Sequence, residues 1–399
     1  LSAPHIDPHR YTSPEFQALE RERLWRRTWL LAAHVSEVPT PGSFATIEFG
    51  VDAYLVSRGP DRVRCFHNAC LHRGTTLCVE RRGSAAVHRC PYHGWSYDTA
   101  GRLLGGEGAS LLAEPGETLV EVTCEERAGF IWIRYAKDGP TLDEHLGPAL
   151  PWLKRFDPEA LRLRTDRSFN LACNWKLSSD IHNEALHLTT VHPQLTEFVD
   201  VPNVRWEALG PHSRLTIPLG IPSTGPFAGR IGPNLKSLLS QLGVNTDALG
   251  QSPRPEAVRD AIRVAMRARA ASEGLELSDL DPADKHQLYI FPDVQINLTG
   301  TELDLYRHRP HPTDPLRCTF DDQQYHRARR DAPAARVSHE RREPDTANPR
   351  GALDQDLAMA ARVQRGMLTG GFQSVRTGPL EEAIAHMHAG LTALMEGVS

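Results

Sequence analysis

Apolar and polar positions change period twice along the chain, and the changes divide it. Residues 13 to 33 read as a helix, with Ser13 as cap, Pro14 at its first position, and Phe16, Leu19 and Trp25 as candidate inward positions. From about 42 to 135 the pattern turns to short β runs punctuated by glycine: Phe44 to Phe49, Ala53 to Val56, Val63 to Phe66, Ala85 to Cys90 and Phe130 to Arg134. Past Leu150 it is mixed, with helical stretches near 174 to 190 and 255 to 271 and strands at Gln287 to Phe291, Val294 to Leu298 and Leu303 to Arg307. The chain closes on a helix introduced by Pro379, Glu381 and Glu382, which presents Ile384, Met387, Leu391 and Leu394 at helical spacing.

Two segments carry little pattern. Residues 218 to 255 repeat Gly, Pro and Ser around one short apolar patch at Leu238 and Leu239, which predicts a long loop, either a lid or disordered. Residues 326 to 350 are rich in Arg and poor in large apolar groups, which predicts a solvated loop. The expected fold class is therefore α+β. Residues 1–40 would form an N-terminal helical segment packing on the larger unit, 41–140 an all-β domain, and 141–399 a domain of antiparallel sheet and helices.

Composition narrows the function. A chain of 399 residues has room for two or three domains. With 45 Lys plus Arg against 50 Asp plus Glu, the formal net charge of -5 argues against nucleic acid as a partner. The first 30 residues are well charged and no apolar run of about 18 residues occurs, so a cytoplasmic protein without signal peptide or membrane span is expected. The seven cysteines form an odd, scattered set, which suits reduced thiols better than a disulfide framework.

Two constellations carry chemistry. In the first, Cys70-Leu71-His72-Arg73-Gly74 is followed, with seventeen residues between His72 and the next cysteine, by Cys90-Pro91-Tyr92-His93-Gly94-Trp95. Chance juxtaposition of two thiols and two histidines is the bland alternative, and a Cys2His2 zinc site is the sharper one. Each loop mixes one Cys with one His, which also fits a [2Fe-2S] cluster having two thiolates on one iron and two imidazoles on the other. With this spacing the segment resembles the Rieske iron-sulfur proteins. The resemblance implies that Cys70 and Cys90 hold one iron and His72 and His93 the other. The respiratory-complex type carries one more cysteine in each loop; Thr75 and Tyr92 stand there, so the chain is similar to the oxygenase or ferredoxin type.

The second constellation lies in Asp180-Ile181-His182-Asn183-Glu184-Ala185-Leu186-His187, which continues to His192-Pro193. Two histidines and a carboxylate on one face of an iron leave positions open for dioxygen. His187 and His192 are five apart, about 140° around an ideal helix, so the helix must break before His192 if both face one metal. Glu184 and Asp180 precede His187 by roughly one and two turns and could accept the second ring N–H of a ligand histidine. His182 has no evident role and is expected at the surface.

Together, and in this order, the two constellations resemble the terminal oxygenase α subunit of the Rieske non-haem iron oxygenases. The resemblance implies that a carboxylate near the C-terminus completes the site: Asp356, with Asp354 as the fallback at the same helix start. It also implies a carboxylate linking one subunit's cluster to its neighbour's iron. That position is commonly Asp and here is Glu184, as in members that demethylate quaternary amines. Further implications are a mononuclear Fe(II), O2 as co-substrate, a homotrimer, and electrons from a separate NAD(P)H reductase with or without a ferredoxin. Pocket walls are expected from residues 200 to 300, including Phe198, Trp206, Leu215, Ile217, Phe227, Phe291 and Ile296, with few fixed charges. That favours hydroxylation of a fairly apolar ring compound. Oxidative N- or O-demethylation is the rival within the class, and an electron carrier without oxygenase activity the rival from another.

Overall fold

The structure, a computed structural model, describes residues 5–250, 252–329, 331–333, 337–345, 349 and 351–397. Helix α1 (Pro14–Glu20) starts as its sequence dictates, with Ser13 Oγ accepting the Phe16 N–H at 3.0 Å. It passes into one wider turn at Arg21–Trp25 and stops there. Leu30–His34, expected as helix, is instead strand β1, buried along its whole length. The apolar run Trp29 to Ala33 has no polar face, and a strand covered on both sides takes such a run as readily as a helix does.

The β-rich unit has ten strands: β1, β2 (Ser43–Phe49), β3 (Asp52–Arg58), β4 (Val63–His67), β5 (Arg82–Ser84), β6 (Val87–Arg89), β7 (Ser96–Asp98), β8 (Leu103–Gly105), β9 (Glu121–Arg127) and β10 (Phe130–Arg134). Seven form one sheet in the order β1-β10-β9-β4-β3-β2-β5, and β6-β7-β8 form a small second sheet. Of the stretch expected as one strand at 85 to 90, only Val87–Arg89 is strand, as β6; β5 lies just before it and belongs to the other sheet.

The larger unit is built on a sheet of β11 (Leu161–Leu171), β12 (Arg205–Leu209), β13 (His212–Pro218), β14 (Asp284–Ile290), β15 (Val294–Thr299), β16 (Glu302–Pro310), β17 (Cys318–Arg327) and β18 (His339–Arg342). Its order is β12-β13-β14-β15-β16-β17-β11-β18, antiparallel throughout except for β18 on β11. The Arg-rich tail expected as loop therefore supplies the edge strand β18. Helices α2 (Trp175–Ile181) and α3 (Leu188–Val191) lie on the chain before β12; α4 (Pro233–Gln241) and α5 (Pro255–Ser272) lie between β13 and β14; α6 (Ala352–Met367) and α7 (Glu382–Glu396) close the chain. The helix α4 falls where a loop was expected, and it buries Leu235 and Leu239.

One hydrophobic core joins the two units. It brings Trp25 and Phe49 together with Trp175, Leu357, Met387 and Leu391. Polar contacts reinforce the join: Arg81 reaches Asp321 at 3.2 Å, and Arg82 reaches Asp166 at 2.6 Å. Glu20, at the end of α1, pairs with Lys176 on α2 at 2.6 Å with both side chains buried. All seven cysteines are free, and no helix among the described residues is long and apolar enough to cross a membrane.

Candidate active site

The first constellation folds as two copies of one loop. Cys70 to Gly74 follows β4, and Cys90 to Gly94 joins β6 to β7. Each loop closes on a glycine with positive φ, 76° at Gly74 and 69° at Gly94, which lets its N–H turn back to the cysteine carbonyl at 2.8 and 3.1 Å. The turns bring the rings of His72 and His93 within 4.6 Å, and His72 stacks on Trp95. Cys70 and Cys90 are both buried, and the Tyr97 hydroxyl lies 3.4 Å from Cys70 Sγ. Burial raises the Cys90 thiol, but N–H groups of Tyr92 and His93 and the Cys70 and Thr75 side chains outweigh it and hold the thiol below its ordinary range. His72 Nδ1 is buried with no hydrogen-bond partner. Stabilised thiolate and an unsatisfied imidazole nitrogen are what a cluster with two sulfur and two nitrogen ligands requires.

The second constellation sits where α2 ends. Asn174 caps α2 by accepting the Lys176 N–H at 3.0 Å. The helix stops at Ile181, so residues 182 to 187 form irregular turns and Glu184 does not share a helical face with His187. His187 and His192 flank α3 as its N-cap and C-cap, so the departure from helix that both histidines need comes at His192, beside Pro193. Glu184 replaces the lost helical bonds, since its carboxylate accepts the backbone N–H groups of Leu186 and His187. The same carboxylate binds His187 Nδ1, which turns Nε2 inward.

His192 ends α3, with its Nδ1 donating to Gln355 Oε1 at 2.7 Å and its Nε2 lying 2.7 Å from Asp356 Oδ1. His187 Nε2 is 3.4 Å from the same oxygen. The three donor atoms lie within 4.8 Å of one another, which suits one cation whose ligands sit roughly 3 Å apart. Asp356, in the first turns of α6, joins the group; Asp354 is not in it. Burial lowers the His192 imidazolium, but the Asp356 carboxylate prevails and raises it above its ordinary value.

Two other residues are placed differently from expectation. Asp180 serves neither histidine: its Oδ2 accepts from the Tyr11 hydroxyl at 2.7 Å and lies 3.4 Å from His388 Nε2, which ties the segment before α1 and helix α7 to α2. The His182 side chain is only 7% exposed, not at the surface. It stacks on Phe320, its Nδ1 donates to the Ser178 carbonyl at 2.8 Å, and its Nε2 is 3.8 Å from Asp356 Oδ2.

A cavity of about 320 Å³ opens onto His187, His192 and Asp356. Phe198 and Ile217 line it as expected; Trp206, Leu215, Phe227, Phe291 and Ile296 do not, and for Ile296 the reason is strand alternation, since its neighbour Asn297 takes the cavity face. Leu219, Leu238, Ile262 and Met266 add apolar wall. Composition along the strands did not suggest the polar side: Lys285, Gln287, Asn297 and Thr299 also face the cavity. Their signal was present, as polar residues two apart on each strand, Lys285 with Gln287 and Asn297 with Thr299.

Fold and donor sets define a protein with an iron-sulfur module and a second unit carrying a two-histidine, one-carboxylate metal site. Residues 158–397 match the family model described as "Ring hydroxylating alpha subunit (catalytic domain)", and residues 28–114 match "Rieske [2Fe-2S] domain". The chain belongs to this family, the α subunits of Rieske non-haem iron oxygenases. It is 31% identical over 188 residues to a glycine betaine monooxygenase oxygenase subunit of Pseudomonas aeruginosa, covering 46% of this chain and 44% of the relative. It is 32% identical over 187 residues to a benzene 1,2-dioxygenase subunit alpha of Pseudomonas putida, covering 45% and 42%. The matches thus span about half the length of these relatives. Among solved structures, the fold is similar to the quaternary ammonium Rieske monooxygenase CntA, with TM-score 0.72, 18% identity, and 99% and 96% of the two chains covered. It is also similar to naphthalene 1,2-dioxygenase from Rhodococcus sp., with TM-score 0.68, 19% identity, and 99% and 95% covered.

Proposed function

We propose that the protein is the terminal oxygenase of a multicomponent system, inserting oxygen from O2 into a small substrate with a largely apolar body. The observation that carries this is the cavity of about 320 Å³ lined by His187, His192 and Asp356 in a chain that also holds the Cys70, His72, Cys90 and His93 cradle. When bound, the cluster would supply electrons singly and the mononuclear iron would activate O2 toward a C–H or C=C bond. The protein's own residues set the geometry. Glu184 and Gln355 fix the two imidazoles through their outer nitrogens, and the aliphatic walls exclude water from the reacting carbon.

We further propose that a separate NAD(P)H reductase supplies the electrons, and that three chains form a ring in which Glu184 couples one subunit's cluster to the next subunit's iron. The relatives divide between ring dioxygenases and quaternary-amine monooxygenases. A quaternary ammonium group is best held by several aromatic faces. Apart from the histidines, the only aromatic side chains on the cavity among the described residues are Phe198 and Tyr306, and Lys285 adds a cation, which favours oxygenation of an apolar body over amine demethylation. Metal analysis and substrate-dependent O2 uptake test the reading together. An oxygenase holds about three irons per chain and consumes O2 when reduced with substrate present, whereas an electron carrier holds about two and does not.

A further inference from the structure

The cavity wall opposes its own packing logic. Lys285 and Gln287 lie two apart on β14, and Asn297 and Thr299 two apart on β15. Register sets Gln287 beside Asn297, and Asn297 beside Asp304 on β16. A polar row thus crosses a sheet whose neighbouring positions Leu288, Ile296 and Leu305 are fully buried and apolar. Gln287 is satisfied, donating from Nε2 to Asn183 Oδ1 at 3.2 Å. Asn297 is not: it is 2% exposed, and neither its amide nitrogen nor its oxygen has a hydrogen-bond partner.

Lys285 is half-buried on the same wall, and among the described residues no carboxylate lies within ion-pair distance of its ammonium. Burial pushes that ammonium down, and the charges of Asp304 and Asp356 only partly oppose the push. Lysine has donors and no acceptor, and the asparagine amide adds another donor. Buried polar groups in native structures are paired, and a pair left open on a cavity wall is completed by what enters the cavity.

We propose that Lys285 and Asn297 anchor a carboxylate of the substrate, making it a small apolar carboxylic acid rather than a neutral ring compound or a quaternary amine. This rests on the oxygenase reading above. With its carboxylate on Lys285 and Asn297 and its body against Ile217, Leu219 and Ile262, such a molecule presents one fixed carbon to the His187, His192 and Asp356 site.

The test compares three probes of similar shape, benzoate, benzamide and benzyltrimethylammonium, by calorimetric titration of the intact anaerobic protein. Benzoate is expected to bind at least tenfold tighter than the other two. Lys285→Met should abolish that preference and leave benzamide unchanged, and Lys285→Arg should keep part of it. Asn297→Asp, which adds a negative charge to the same wall, should weaken benzoate at least tenfold. An unaltered EPR signal of the reduced cluster shows that each variant is folded. Equal or tighter binding of benzamide or the cation, no measurable benzoate binding, or unchanged benzoate affinity in Lys285→Met overturns the proposal. O2 uptake separates the two readings. Benzoate preference without any O2 consumption on reduction, across a panel of apolar carboxylic acids, retains the anchor and rejects the oxygenase. Uptake driven only by neutral or cationic compounds does the reverse.

Discussion

Glu184 holds three groups with one carboxylate: two backbone N–H groups and the His187 ring. Glu184→Gln keeps an oxygen acceptor of the same length but removes the charge. Both metal sites should stay filled, while single-turnover oxidation of the reduced cluster slows by about tenfold or more, in the range seen when outer partners of metal ligands are changed. An unchanged rate in rapid-mixing spectroscopy would remove Glu184 from the electron route. Asp356→Ala should lose the mononuclear iron and keep the cluster spectrum; if metal analysis still finds about three irons per chain, the ligand is Asp354. The Cys/His pairs and the His187–His192 pair stood out because their residue types recur at short spacing, whereas Asp356, 164 residues from His192, was reached only through the family resemblance. The place of His182 was not legible: its burial depends on Phe320, which only the sheet brings to it. Lys285 and Asn297 were likewise hidden, because pairing of β14 with β15 assembles them.

Elements followed their own sequence where a local rule decided and departed from it where tertiary contacts did. Ser13 and Pro14 fixed the start of α1 locally, and Ser13→Ala should cost about 1 kcal/mol in chemical denaturation. The strand β1 could not be told from helix, because pairing with β10, and not periodicity, defines it. The Arg-rich tail was read as solvated, yet β18 finds an edge through His339 and Asp166, which lie 2.9 Å apart. Between β14 and β15 lies a carboxyl with consequences for pH. Burial raises Asp293 to about 7, with Arg307 and Arg309 only partly opposing it. Because the folded state holds this proton more tightly than the unfolded chain, the carboxyl's contribution to stability is full below about pH 4 and lost as pH rises towards 7. Asp293→Asn should remove a slope of about 1.4 kcal/mol per pH unit across that window. Denaturant titrations from pH 4 to 8 would show it, and parallel curves for the two proteins would contradict it.

At the scale of the whole molecule, the cluster cradle lies at a surface that a lone chain leaves apolar. Tyr92 is 59% exposed, and Leu111, on the segment that Glu107 ties to His93 and Trp95, is 87% exposed. Exposed apolar groups at an electron-transfer edge suit a covered interface better than open solvent. In the proposed ring of three, each cluster would feed the iron of the next subunit through Glu184, and this arrangement predicts complementation. Asp356→Ala keeps its cluster and loses the iron site; Cys90→Ser loses the cluster and keeps the iron site. Each alone should be inactive. Rings co-assembled from both should regain substrate-dependent O2 uptake, because some contain an intact cluster beside an intact neighbouring iron. The mass of the mixed particles, measured with the assay, separates failure to assemble from failure to transfer. Mixed trimers without activity would mean that each chain reduces its own iron, and monomers that turn over unaided would dispense with the ring.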